Sequence, residues 1–191
     1  MSNFHRQLEV GKVGESEIAR WLMSKGYNIL PVYEIAEGQY KGPAVFSKDG
    51  KGIIAPDIFA FSNSDVKWIE AKTKTAFSWH RKTEKWTTGI DKNLFEHYKQ
   101  IAELAPWPVW LLFLQKGGQA KDSEVSEAGL FGGSIKFLAK NINHDSDNYG
   151  PYGMFYWAQD VLKKIADYPL PDESINEWIK DYDRQIQKDC R

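Results

Sequence analysis

Asp57, Glu70 and Lys72 are the residues of this chain whose types and spacing could do chemistry. Two carboxylates that face each other repel and destabilise a sheet, so a chain that keeps them either has a use for them or has them exposed enough to be screened, and the use that fits is binding of a hard divalent cation. Mg²⁺ takes oxygen ligands and is commonly held by one or two carboxylates together with waters and substrate phosphates. A lysine beside such an ion can stabilise a developing oxyanion or help to deprotonate a water. The three residue types therefore predict metal-assisted hydrolysis of a phosphodiester bond.

A predicted β-hairpin brings these side chains together. Two runs rich in β-branched and aromatic residues are separated by four turn-forming residues, which is the pattern of two strands and a loop. A loop of this length puts Phe59 opposite Trp68 and Asp57 opposite Glu70, with the Cβ atoms of each pair about 5 Å apart. Side chains alternate along a strand, so Lys72 shares the face of Glu70.

Glu15 lies on a helix that is predicted upstream of the hairpin, over residues 7–25 and stopped by Gly26. It precedes Ile18 by three residues, which puts it on the apolar side of that helix. Gly14 would allow the helix to approach another segment closely. A glutamate directed at a core needs a partner. Two interpretations stay open: Glu15 supports the metal site, or it is a boundary residue paired with an arginine.

The order of these residues resembles that of the PD-(D/E)XK nuclease superfamily. Pro56 and Asp57 are followed, 13 positions after the aspartate, by Glu70, one spacer residue and Lys72, which is similar to the signature of that superfamily. Upstream, the Gly-Lys-Val-Gly-Glu stretch at 11–15 resembles the glutamate helix of the Holliday junction resolvase-like branch. The resemblance covers little more than half of the chain.

The resemblance implies a Mg²⁺-dependent endonuclease acting on DNA, with Mn²⁺ as a substitute. In it, Asp57, Glu70 and the carbonyl group of Ala71 bind the metal, Lys72 assists the water and Glu15 supports the site. Branched DNA and restriction-type substrates are equally compatible with these residues, and cleavage of two strands would call for two sites, as in a homodimer. Two alternatives stay open: a non-catalytic nucleic-acid or protein-binding module on a nuclease-like fold, and an unrelated α/β protein with a chance motif.

The segment after Lys72 interleaves basic and aromatic residues. One interpretation is that residues 75–90 contact phosphates and stack on bases. The other is an extension of the hairpin, with its aromatic side chains packed on the core and its charges in solvent. The predicted nucleic-acid-binding residues are Lys74, Trp79, His80, Arg81, Lys82 and Lys85.

Composition limits the class of protein. The 191 residues suit a single domain, with a nuclease-like core over about 7–116 and an elaboration over about 117–191. The formal net charge of −1 excludes a strongly basic general nucleic-acid binder. Cys190 is the single cysteine, so no intrachain disulfide framework is expected. With no signal segment and no long apolar run, we expect a cytoplasmic protein without a membrane partner.

The order of predicted elements indicates the fold class. A strand over 27–35, the two hairpin strands, a helix over 91–104 capped by Asp91 and a buried strand over 109–114 follow the first helix. This order resembles a restriction-endonuclease-like core, an α/β fold whose mixed central β-sheet is flanked by helices. Further on we predict a strand over 130–138 broken by glycines, a loop over 140–153, a strand over 154–157, a helix over 160–166 and a C-terminal helical extension from Asp172.

Overall fold

The computed structural model describes residues 3–31, 34–36, 39–41, 44–120 and 123–170. Its helices are α1 (Asn3–Ser24), α2 (Lys92–Leu104), α3 (Ile135–Leu138) and a 3₁₀ turn (Gln159–Val161). Its strands are β1 (Asn28–Pro31), β2 (Glu34–Ala36), β3 (Gln39–Lys41), β4 (Ala44–Phe46), β5 (Gly52–Ile54), β6 (Ile58–Phe61), β7 (Val66–Lys74), β8 (Ser78–His80), β9 (Lys85–Asp91), β10 (Val109–Gln115), β11 (Gly129–Ser134), β12 (His144–Ser146), β13 (Met154–Ala158) and β14 (Lys163–Ala166). Of the described helices, none is long and apolar enough to cross a bilayer.

A six-stranded mixed sheet in the order β1-β6-β7-β10-β11-β14 forms the centre of the fold. Strands β7 and β10 are parallel, and the other neighbours are antiparallel. Strand β10 is a nearly continuous apolar run and is buried on both faces, as its sequence predicts. The predicted α/β fold, with its mixed central sheet between helices, is confirmed, and α1, β1, β6, β7, α2 and β10 follow one another in the predicted order.

The predicted hairpin has the predicted register. Phe59 pairs with Trp68, and their ring centroids lie 4.9 Å apart. The ladder ends at the pair of Ile58 and Ile69, so Asp57 lies immediately before β6 rather than within it.

Helix α1 packs on one face of the central sheet. It ends shortly before Gly26, whose φ of 86° takes the chain out of the helix. Ile18 and Leu22 of α1 are buried with Ile69 of β7 in one apolar cluster. A Cβ atom added at Gly14 would lie 1.6 Å from the Oγ1 atom of Thr73, so glycine is what lets this turn of the helix lie against β7.

Helix α2 covers the opposite face, where the second apolar cluster lies. Asp91 caps the helix by accepting a hydrogen bond from the backbone N–H of Asn93 at 2.8 Å, as predicted. Phe95, Tyr98 and Ile101, which recur at helical spacing in the sequence, are buried. This face of the sheet also carries Glu70, Lys72 and Lys74, because alternate residues of β7 share a face.

A second, four-stranded sheet in the order β12-β13-β9-β8 contains the segment predicted to be either a nucleic-acid loop or a hairpin extension. Strands β8 and β9 form an antiparallel hairpin, and Phe77, just before it, is fully buried. Phe77 thus packs on the core as the second interpretation expects, whereas Trp79 is 44% exposed and the hairpin belongs to the second sheet instead of extending β6 and β7.

Three predictions for the second half of the chain are wrong. Gly132 and Gly133 do not break their strand: β11 runs through both, and Gly132 allows close approach to β10, since an added Cβ would lie 2.5 Å from the Leu111 carbonyl oxygen. The segment 140–153 contains β12, which pairs with β13. The predicted helix over 160–166 is a 3₁₀ turn followed by β14, because pairing with β11 outweighs local helix propensity. The helix predicted from Asp172 lies outside the described residues.

Candidate active site

The end of the β6–β7 ladder opens the sheet at the predicted site. If the register continued past Ile58, Pro56 would face Ala71, and proline has no N–H to donate to the Ala71 carbonyl group. The backbone N–H of Ala71 instead donates to the Oδ2 atom of Asp57 at 3.3 Å. Because the N–H and C=O groups of one strand residue point to the same side, the Ala71 carbonyl oxygen faces this opening as well.

Glu70 is fully buried, an unusual place for a carboxylate. Its Oε1 atom pairs with the Lys72 ammonium. Burial raises the pKa of the Glu70 carboxyl to about 8; Lys72 lowers it, the charge of Asp57 raises it, and a side-chain hydrogen bond from Tyr98 also lowers it. Burying a carboxylate is costly, and a cation at this point of the sheet would offset that cost by matching its charge.

Lys72 lies beside Glu70, with 28% of its side chain exposed. Burial lowers the pKa of the Lys72 ammonium, but the charges of Glu70, Asp57 and Glu15 outweigh that effect and raise the pKa above its usual range. Lys72 therefore keeps its proton at neutral pH. Its chemistry is that of a fixed positive charge, which favours the stabilisation of an anion over the deprotonation of a water.

Glu15 lies near the same residues from the α1 side. It is partly buried, and its charge raises the pKa of both Lys72 and Tyr98. Asp57, Glu70 and Lys72 thus lie together at the end of the hairpin, and the charge of Glu15 on α1 acts on Lys72 from a third element.

Tyr98 is a residue of the site that sequence reasoning missed. Burial, followed by the neighbouring Glu70, raises the pKa of its hydroxyl well above the usual value. In the sequence, Tyr98 is one member of an apolar stripe, and its position therefore indicates a packing role. Its hydroxyl group, which packing does not require, is the feature that could have pointed to the site. Gln100, a polar residue of the same helix, is exposed and belongs to a different recess together with Ser47 and Lys51.

The donor set fits a hard divalent cation. Two carboxylates and one carbonyl oxygen match Mg²⁺, which keeps several waters and needs few protein ligands. Across the described ranges, no three or more His, Cys, Asp or Glu side chains group in a way that could hold a metal.

Lys74 continues the polar row of β7 beyond Lys72. Burial and then the charge of Lys72 lower the pKa of its ammonium to about 8. Within the part of the chain that the structure describes, Lys74 forms no ion pair. It is the predicted nucleic-acid-binding residue that lies nearest to the four predicted catalytic residues in the sheet.

Three predicted nucleic-acid-binding residues are exposed on the β8–β9 hairpin. Trp79 is 44% exposed and makes an edge contact with Trp86, with ring centroids 5.4 Å apart. Arg81 and Lys82 project from the turn between the strands. Such a hairpin offers two cations and an aromatic ring to a ligand.

Two further predicted residues of this hairpin are engaged within the protein. Lys85 pairs with Asp160, and both side chains are exposed. The ring of His80 stacks on His144 at a centroid distance of 3.6 Å, and its Nδ1 atom lies 2.7 Å from the Oγ1 atom of Thr83. His80 thus has a packing role beside any role towards a ligand.

Comparison with known proteins gives likenesses of structure only. No protein-family model matches the chain, and no curated protein matches it. A Holliday junction resolvase from Archaeoglobus fulgidus is similar over 79% of this chain and 90% of its own, at 11% identity and a TM-score of 0.45. A nuclease from a fusselovirus is similar over 86% of this chain and 88% of its own, at 14% identity and a TM-score of 0.40. At this level of identity, each likeness concerns the fold alone.

Proposed function

We propose that this protein is a Mg²⁺-dependent nuclease that hydrolyses phosphodiester bonds in DNA at a PD-(D/E)XK-type site, with Mn²⁺ as an alternative metal. The observation that carries the proposal is the end of the hairpin. There, a fully buried Glu70, the Asp57 carboxylate and the Ala71 carbonyl lie at one opening of the sheet, beside a protonated Lys72. A protein that needed only a stable sheet would gain from an apolar residue in place of Glu70.

The roles of the residues follow from their charges. Asp57, Glu70 and the Ala71 carbonyl would hold the metal, which supplies Lewis acidity and an activated water when it is bound. Lys72 carries a fixed positive charge towards the phosphate, where it stabilises the negative charge that develops during attack. Glu15 would support the site from the α1 side, where its negative charge adds to those of Glu70 and Asp57 in raising the pKa of the Lys72 ammonium.

The substrate proposal rests on the exposed cations and aromatic ring of the β8–β9 hairpin. Arg81 and Lys82 would contact phosphates, and Trp79 would stack on a base or pack against a sugar. We propose an endonuclease that acts as a homodimer, since the cleavage of both strands of a duplex requires two sites.

The test is cleavage of a panel of linear, nicked and branched DNAs in Mg²⁺, in Mn²⁺ and in chelator. We expect metal-dependent cleavage of at least one substrate by the parent protein and none by Glu70→Gln. Glu103→Gln is the matched control, because Glu103 is an exposed glutamate of α2, and it should cleave as the parent does.

Two outcomes would contradict the proposal. DNA binding without cleavage in either metal would favour the alternative of a non-catalytic binding module built on this fold. Cleavage that is equal in the parent and in Glu70→Gln would place the activity elsewhere or in a contaminant.

A further inference from the structure

Gln115, the last residue of β10, lies beside the polar row of β7. The parallel pairing of the two strands sets Gln115 next to Lys74 and Phe113 next to Lys72. Paired residues on neighbouring strands project from the same face of a sheet. The Gln115 amide therefore shares the face of the predicted catalytic residues, one step beyond Lys72.

The Gln115 side chain is fully buried, and neither its Oε1 nor its Nε2 atom has a hydrogen-bond partner among the described residues. Leaving a buried amide unsatisfied is costly, and most buried polar groups in native proteins are paired. An apolar residue would complete the run of β10 without that cost. The amide therefore indicates a partner that arrives with a ligand or as an ordered water.

Lys74, the residue paired with Gln115, is a hydrogen-bond donor that could use the acceptor oxygen of the Gln115 amide. Its ammonium has three donors and no acceptor, and it forms no ion pair with any residue that the structure describes. The carbonyl oxygen of an amide can accept from an ammonium without cancelling its charge. The ammonium of Lys74 would still lack a partner of opposite charge, and a bound anion would supply one. Lys74 is the cation of this row that is available for an anion, because Lys72 is already paired with Glu70.

We propose that Lys74 binds a second backbone phosphate of DNA, next to the phosphate that is cleaved, and that Gln115 positions the Lys74 ammonium for that contact. This subsite rests on the proposed function, because it deepens the substrate recognition of the same site. Lys74 makes the contact with the phosphate, and Gln115 acts through Lys74. The second partner of the amide would be the phosphate or a water that the phosphate orders.

The experiment measures DNA binding in chelator, where nothing is cleaved, as a function of salt concentration. Lys74→Met should weaken binding about tenfold, which is the effect of one hydrogen bond to a charged group. It should also reduce the slope of log affinity against log salt by about one, as expected for one lost phosphate contact. Gln115→Leu should also weaken binding and reduce the salt slope. The double variant should bind no more weakly than Lys74→Met alone.

Gln100→Leu is the matched control, because Gln100 is an exposed glutamine outside the site, and its affinity and slope should equal those of the parent. A purely structural Gln115 would leave the salt slope unchanged, or its effect would add to that of Lys74→Met, and either result would overturn the positioning role. If Gln115→Leu does not fold, Gln115→Met replaces it. An unchanged slope for Lys74→Met overturns the subsite by itself.

The same series separates this inference from the proposed function. If the slopes change as expected but no DNA is cleaved in Mg²⁺ or Mn²⁺, the phosphate subsite stands and the nuclease proposal fails. If the parent cleaves DNA and the slopes of all variants equal that of the parent, the nuclease proposal stands and the subsite fails. If the parent binds no DNA at any salt concentration, both fail.

Discussion

Replacing Asp57 with asparagine tests the charge at the metal opening with little change of shape. The Asp57 carboxylate accepts a hydrogen bond from the Ala71 N–H at 3.3 Å and raises the pKa of the buried Glu70. The amide oxygen of asparagine can keep that long hydrogen bond, while the negative charge is removed. In chelator, Asp57→Asn should therefore melt at a higher temperature than the parent protein.

The size of the effect follows from the separation of the two carboxyl groups. At a separation of about 5 Å, the value for facing residues in a β-ladder, and an effective dielectric constant near 20, two full charges repel by about 3 kcal/mol, which is an upper bound here because Asp57 lies just outside the ladder. Protonation of Glu70 relieves much of this repulsion, so the gain should be about 1 kcal/mol, or roughly 2–4 °C in a protein of this size. Mg²⁺ at ten times its Kd should stabilise the parent by about 1.4 kcal/mol, because it binds the folded state.

The assay is thermal unfolding at neutral pH and low salt, first in chelator and then in Mg²⁺. The melting temperature of the parent should rise by roughly 3–6 °C in Mg²⁺, and that of Asp57→Asn by much less. The difference between the two melting temperatures should therefore shrink or change sign when Mg²⁺ replaces chelator. Asp49→Asn is the control, since Asp49 lies exposed in the turn between β4 and β5. If Asp57→Asn melts below the parent in chelator and both gain equally from Mg²⁺, Asp57 is a structural hydrogen-bond acceptor and the metal-site interpretation fails.

Three further predictions address the reaction, the substrate and the buried carboxyl. Lys72→Met should fold and bind Mg²⁺ but lose cleavage, because an ammonium cannot ligate a metal; cleavage within a few fold of the parent would remove Lys72 from the mechanism. Arg81→Glu combined with Lys82→Glu should weaken DNA binding and lower the salt slope by about one for each lost phosphate contact, whereas an unchanged slope would make the turn a structural feature. In chelator, the free energy of unfolding of the parent should fall as pH rises from 5 to 8, because folded Glu70 keeps its proton up to about pH 8 while the unfolded chain releases it near 4.5. Glu70→Gln should flatten this dependence in urea titrations, and an equal fall in both proteins would assign the dependence to other groups.

The elements that carry the site were predictable because local rules determine them. Turn chemistry and side-chain alternation set the register that pairs Phe59 with Trp68. An apolar stripe and the Asp91 cap determine α2, and an unbroken apolar run determines β10. In each case, local propensity and tertiary packing favour the same structure.

The remaining elements depend on contacts that are distant in sequence. Strand β14 is an edge strand whose ladder partner, β11, lies more than thirty residues earlier, at the pair of Leu130 and Ala166, and a local helical pattern gives no sign of it. Tyr98 belongs to the apolar stripe of α2, and Gln115 directly follows the apolar run of β10, so neither position stands out in the sequence as part of a site. Only the register of β7 and β10, with Lys74 beside Gln115, shows which polar side chains share the face of the site.

The central claim is that the end of the β6–β7 hairpin holds a divalent cation, and locating Mn²⁺ by its anomalous scattering in crystals of the protein tests it most directly. The account predicts one anomalous peak bounded by the carboxylates of Asp57 and Glu70 and the carbonyl oxygen of Ala71, and its absence from crystals of Asp57→Asn. A peak elsewhere on the chain, or ordered density at these three groups with no peak at saturating Mn²⁺, would contradict the account.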